Sequence, residues 1–323
     1  MRALVHSTFG DPGKVLAVEE VPLPEPKAGH VRIRTLLAAI HNHDLMTVAG
    51  LYGYKPELPA RAGTEAVGVV DALGEGVTHL EVGQRVATGA AFGTWAEYFT
   101  ASAAGVVPVP DEMPDEVAAQ IYSMPFSALT LLDSLGLGEG DWMVQNTANG
   151  AVGRYVAQLA AARGINVVGL VRRAEAVEEL AGQGIGNVVS TDSDDWRKQV
   201  KSVTGGAPIK AGVDSIGGAA AGQVLSLVAE DGLLVVFGAM ASNTLELNVG
   251  DVLFKQVTVK GFWGSKVKLT GDERRAAFEE LMTRIADGTL KLTVDSVHPL
   301  EEMAAAAEAS ARPGRLGKVL LKP

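Results

Sequence analysis

The chain contains no cysteine. Disulfides, thiolate metal sites and a cysteine nucleophile are therefore excluded. Positive charge is short as well: 28 Lys and Arg stand against 38 Asp and Glu, a formal net charge of −10. Nucleic acid and anionic membranes, which require clustered cations, are thereby disfavoured as partners. No window reaches about 18 uninterrupted apolar residues, and the start, MRALVHSTFGDPGKV, lacks the apolar core of a signal peptide. Hydrolase signatures are missing too, with neither a G-x-S-x-G elbow nor a His-Glu-x-x-His pair. The expectation is a cytoplasmic protein that acts on a small molecule, with no nucleic-acid or membrane partner.

A length of 323 residues is long for one core and predicts two domains. The first third reads as short strands broken by Gly and Pro, such as VRIRTLLAAI and AVGVVDALGEGV, which predicts a compact β-rich unit. Near Asp111 the spacing turns helical, with Asp115 and Glu116 in a first turn after Pro114. From Asp141 the short apolar runs WMVQN, INVVGLV, NVVS, AGVDSI, GLLVVFGA and VTVKGF alternate with helical stretches. That alternation is the mark of a doubly wound parallel sheet, the Rossmann form of the α/β class.

Between WMVQN and the alanine-rich helix lies Ala148-Asn149-Gly150-Ala151-Val152-Gly153, an A-x-G-x-x-G variant of the dinucleotide fingerprint. Gly150 allows a pyrophosphate to approach the backbone, and Gly153 allows close packing of the helix. The N–H groups of the helix start complete an anion site. Val152, Val156 and Leu159 form the apolar face, and Gly164 is the stop. After the second apolar run, where an acidic residue would bind a ribose 2′-hydroxyl, the chain has Arg172 and Arg173. Guanidinium groups there suit a 2′-phosphate, which predicts NADPH as the cofactor.

These segments, with LPARAGTEAVGVV, EVGQRVA, GTWAEY and the closing GRLGKVLLKP, make the chain resemble the medium-chain dehydrogenase/reductases nearly end to end. The resemblance implies a GroES-like catalytic domain from both chain ends, 1–118 and 261–323, around a Rossmann domain at 119–260. It also implies a homodimer joined near Val257 to Lys260. Zinc-dependent members carry their first two catalytic ligands at positions that correspond here to His41 and Thr64. His41, His43, Asp44 and Glu65 alone are left as donors, so no metal is expected. His41 and Asn42 are expected to line the substrate pocket, with His41 and His43 on one face if the segment is extended.

Zinc-free members include quinone reductases and 2-enoyl thioester reductases. QNTANGAVG, GLYGYKPELPARAGTE and FKQVTVKGFWGSKV are more similar to the latter. The matching catalytic residue is Tyr52, with Tyr54 close enough to compete for the assignment, and Trp263 matches a residue that lines the site. The resemblance further implies cofactor contacts from Thr130, Lys318 and the strand end Phe237-Gly238-Ala239. His41-Asn42-His43-Asp44 departs from the N-P-S-D of the thioester enzymes. The expected activity is NADPH-dependent reduction of a 2-enoyl thioester. Quinone reduction is the alternative, and a dinucleotide-binding protein without turnover is a third reading.

Overall fold

A computed structural model describes all 323 residues. The chain divides into two compact units: Met1–Ser123 with Leu292–Pro323, and Met124–Lys291. The second crossing falls at Leu292 rather than at 261. The helix Gly271–Ala286 accounts for this, because its Phe278 stacks on Phe126 at 5.2 Å and its Glu280 accepts from Arg163 at 2.9 Å. Both partners belong to the Met124–Lys291 unit.

That unit carries a six-stranded, wholly parallel sheet. Its order is Val188–Ser190, Asn166–Val171, Trp142–Gln145, Ile209–Asp214, Val228–Val236, Thr258–Gly261. Numbered along the chain this is 3-2-1-4-5-6, the doubly wound order. The strands are rich in Val, Ile and Leu because both faces are covered. Val144, Val168, Leu170, Val224, Leu225 and Leu234 are almost fully buried at its core. Burying each such side chain contributes about 1.5–3 kcal/mol before entropic costs. The strand order reverses between Trp142–Gln145 and Ile209–Asp214, so the crevice at their carboxyl ends is where such a fold takes a ligand.

The other unit is built on a seven-stranded sheet, in which the central strand His30–Ala39 pairs with Ala66–Leu73, Tyr98–Ser102 and the C-terminal Lys318–Lys322. A three-stranded sheet adds Ala17–Glu20, Arg2–His6 and Ala60–Arg61. Trp95 anchors this core: it is fully buried, and its indole N–H donates to the Ala39 carbonyl at 3.0 Å. A helix follows the strand His30–Ala39, so the segment from His41 to His43 is not extended throughout. Asn42–Val48 is helical, and only its N-cap His41 is extended. Asp44 explains the start, because its carboxylate accepts the His41 backbone N–H at 3.0 Å from the third helical position.

Candidate active site

The glycine turn of the parallel sheet leads from Trp142–Gln145 into the helix Ala151–Ala162. Thr147 takes a left-handed φ of 51°, a strained conformation for a β-branched residue. Gly150 caps the helix. A Cβ on Gly153 would lie 2.6 Å from the Thr147 carbonyl oxygen and 2.9 Å from the Ala148 Cα. Only glycine fits there, and the close approach is to the turn's own backbone. The first-turn N–H groups of Ala151, Val152 and Gly153 have no acceptor within their helix. Gly164 ends the helix with φ 68°.

Asn146 and Asp214 also organise this edge, and sequence reasoning missed both. Asn146 Nδ2 donates to Asp214 Oδ1 at 2.5 Å, while Asn146 Oδ1 accepts the Ser215 N–H at 2.8 Å. Asp214 is fully buried and takes the Gly217 N–H on its other oxygen. The pair therefore clamps together the two strand ends that flank the switch point. A lone acidic residue closing an apolar run, as in AGVDSIGG, was the available signal.

Arg172 and Arg173 follow the strand Asn166–Val171, but they differ in state. Arg173 is committed to Glu179 at 2.8 Å and to Glu175 at 3.6 Å. Arg172 is exposed and makes no ion pair. Phe237, Gly238 and Ala239 follow the strand Val228–Val236, at the same carboxyl edge as the glycine turn. Thr130 is buried in the helix Ser123–Asp133, and its hydroxyl donates to the Phe126 carbonyl at 2.7 Å. Trp263 follows the edge strand Thr258–Gly261, with the Lys266 ammonium 5.6 Å from its ring centre.

In the β-rich unit His41, Glu65 and Lys318 form a buried cluster. Lys318 is no surface lysine: only 4% of it is exposed, and its ammonium donates to the Ile40 carbonyl and to His41 Nδ1 at 2.8 Å. His41 Nδ1 must therefore accept, and its Nε2–H donates to Glu65 at 2.6 Å. Burial, reinforced by the Lys318 charge, holds the His41 pKa well below its ordinary 6.5. Burial pushes Glu65 up, opposed by the N–H groups of Tyr122 and Ser123 that it accepts. The cluster is thus a neutral imidazole between an ammonium and a carboxylate.

His43 stacks on His41 with ring centres 5.0 Å apart, although the helix start rather than a strand brings them together. The Thr64 hydroxyl spends its one proton on Asp44 at 2.7 Å, so it accepts from His43 Nε2–H at 2.8 Å. His43 also meets Tyr52, ring centres 5.7 Å apart. Tyr54 lies elsewhere, against Phe92 at 5.1 Å. Asn42 is exposed at the first helical position. The structure thus brings His41, Tyr52 and Lys318 into one network, with His43 as the link.

A catalytic zinc does not fit this donor set. It needs three protein ligands and an open position, whereas both His41 nitrogens are engaged and an ammonium stands beside one of them. No group of three His, Cys, Asp or Glu side chains converges in a way that would hold a metal. A dinucleotide does fit the glycine turn, where a helix start capped by Gly150 offers first-turn N–H groups that have no partner within the helix.

The chain matches two family models, the alcohol dehydrogenase GroES-like domain over residues 27–111 and the zinc-binding dehydrogenase over residues 151–287. It is similar to the mitochondrial enoyl-[acyl-carrier-protein] reductase of Homo sapiens, with 32% identity covering 99% of this chain and 88% of the relative. The enzyme of the same description from Arabidopsis thaliana is 34% identical, covering 98% of this chain and 86% of the relative. Among solved structures, the Escherichia coli quinone oxidoreductase complexed with NADPH superposes with a TM-score of 0.91 at 26% identity, covering 100% of both chains. A Pseudomonas syringae quinone oxidoreductase gives 0.89 at 27%, covering 100% of this chain and 99% of that one.

Proposed function

The chain belongs to the medium-chain dehydrogenase/reductase family, and from that premise we propose an NADPH-dependent, zinc-independent reductase of activated carbon–carbon double bonds, with 2-enoyl thioesters favoured. The observation that carries this reading is Tyr52, held against His43 in a cluster where an internal ammonium takes the place of a metal. The relatives described as enoyl reductases support the choice of acceptor.

NADPH, when bound, supplies a hydride to the β-carbon of the acceptor. The chain's own work is to bind and to stabilise charge. The glycine turn Asn149–Gly153 and the strand end Phe237–Ala239 take the cofactor, and Arg172 reads its 2′-phosphate. Arg173, already paired with acid, braces the loop. Negative charge then develops on the thioester oxygen. The Tyr52 hydroxyl donates to it without bringing a competing charge, and the α-carbon of the enolate then takes a proton from water to complete the reduction. His43 orients Tyr52, and Thr64 and Asp44 orient His43.

The test is NADPH oxidation with crotonyl-CoA and a simple benzoquinone side by side, in the native protein and in Tyr52→Phe. Loss of about 10²–10³ in kcat with the thioester alone supports the reading. Reduction of the quinone alone, unaffected by the substitution, makes the protein a quinone reductase, the alternative that the quinone oxidoreductase neighbours support. NADPH binding without oxidation by either acceptor leaves a dinucleotide-binding protein. No helix is long and apolar enough to cross a membrane. A cytoplasmic location and a homodimer complete the proposal.

A further inference from the structure

Arg61 places a cation in an otherwise apolar stretch, Pro59-Ala60-Arg61-Ala62-Gly63. It lies on the wall of a cavity of about 200 Å³ in the β-rich unit, together with Asp44, Tyr54, Thr64, Phe92 and Gly93. No carboxylate pairs with its guanidinium. Burial is the one influence on it, and burial draws its pKa down. A partly desolvated charge without a partner costs free energy unless something answers it. Asp44 lines the same cavity but makes no ion pair with Arg61; its oxygens accept from the Thr64 hydroxyl and the His41 N–H.

The arginine is also held in place. Gly93 has φ +76°, and a Cβ there would stand 3.0 Å from the Arg61 Cβ and 3.1 Å from its Nε. The stem therefore lies against bare backbone that only glycine provides. At the mouth Tyr54 and Phe92 lie 5.1 Å apart with their planes inclined at 36°. Phe92 is 61% exposed, a large apolar surface to leave in water.

The chemistry of an occupant follows from these walls. The guanidinium supplies one positive charge, and the buried Asp44 carboxylate on the same wall opposes a dianion more than a monoanion. A carboxylate matches the guanidinium fork with two parallel hydrogen bonds. The volume is below the roughly 300–1,000 Å³ of a drug-sized site, so the occupant is small. We propose that this cavity binds a small monocarboxylate with a flat apolar body, its carboxylate on Arg61 and its body against Tyr54 and Phe92. The site goes beyond the reductase reading and stands with either acceptor.

Titration calorimetry of the full-length protein with benzoate, benzamide and inorganic phosphate tests this. Benzoate is expected to bind at least about tenfold more tightly than benzamide, its uncharged counterpart, and than phosphate. Arg61→Gln is expected to erase the preference for benzoate over benzamide, whereas Phe92→Ala weakens both and keeps it. Equal binding of benzoate and benzamide to the native protein overturns the proposal, and that comparison needs no variant to fold. Phosphate binding as tight as benzoate overturns the carboxylate assignment, and no binding of benzoate overturns the site.

Discussion

At the scale of single residues, His41 is where burial and charge decide most. The unfolded chain leaves it free to protonate near its ordinary pKa, while the fold keeps it neutral far below. The folded pKa is depressed, so its contribution is full above about pH 6.5 and is lost as pH falls toward the folded value. Glu65 runs the other way. Its folded pKa is raised, so the native state takes up that proton earlier and offsets part of the loss. The expected outcome is an unfolding free energy that falls as pH drops from about 7.5 to about 5.5, with a slope of up to about 1.4 kcal/mol per pH unit. His41→Gln, which cannot titrate, is expected to flatten that slope. Urea titrations at the two pH values check it, and an unchanged slope in the variant removes His41 as the cause. None of this was legible beforehand. The sequence places His41, Glu65 and Lys318 far apart, and only strand pairing of Lys318–Lys322 with His30–Ala39 brings the lysine to the histidine.

At the scale of elements, legibility followed periodicity. The six apolar runs of the doubly wound sheet each became a strand, because buried parallel strands write themselves as continuous Val, Ile and Leu. The helix Asn42–Val48 was hidden, since its seven residues span under two turns and set only the one pair Leu45 and Val48 on the core. The run from Pro110 to Leu135 split into the helices Asp115–Ala118 and Ser123–Asp133, with Pro125 in the first turn of the second, where proline is tolerated. The glycine turn was readable because its spacing is a steric requirement. Gly153→Ala tests that requirement, for the added methyl meets backbone at 2.6 Å and 2.9 Å and one element must shift. The expected cost is about 1–3 kcal/mol in stability. NADPH affinity, followed by fluorescence titration, should fall with it. A variant as stable as the native protein, with unchanged affinity, would show that the turn has room the geometry denies.

At the scale of the whole molecule, the parallel sheet ends on the unpaired edge strand Thr258–Gly261. An open edge presents a row of unused N–H and C=O groups, and proteins ordinarily cover or charge it. Here the helix just before it, Val249–Phe254, does the opposite. Val249, Leu253 and Phe254 are 74%, 54% and 79% exposed. Three neighbouring apolar side chains left in water beside an unpaired edge support burial by a second copy, since one two-fold contact would satisfy strand and patch together. Phe254→Asp puts a charge into that contact without touching the sheet core or the glycine turn. Sedimentation velocity is expected to show a dimer for the native protein and a shift to monomer for the variant, with circular dichroism unchanged. A native monomer at micromolar concentration would refute the homodimer, and the exposed patch would then need a different partner.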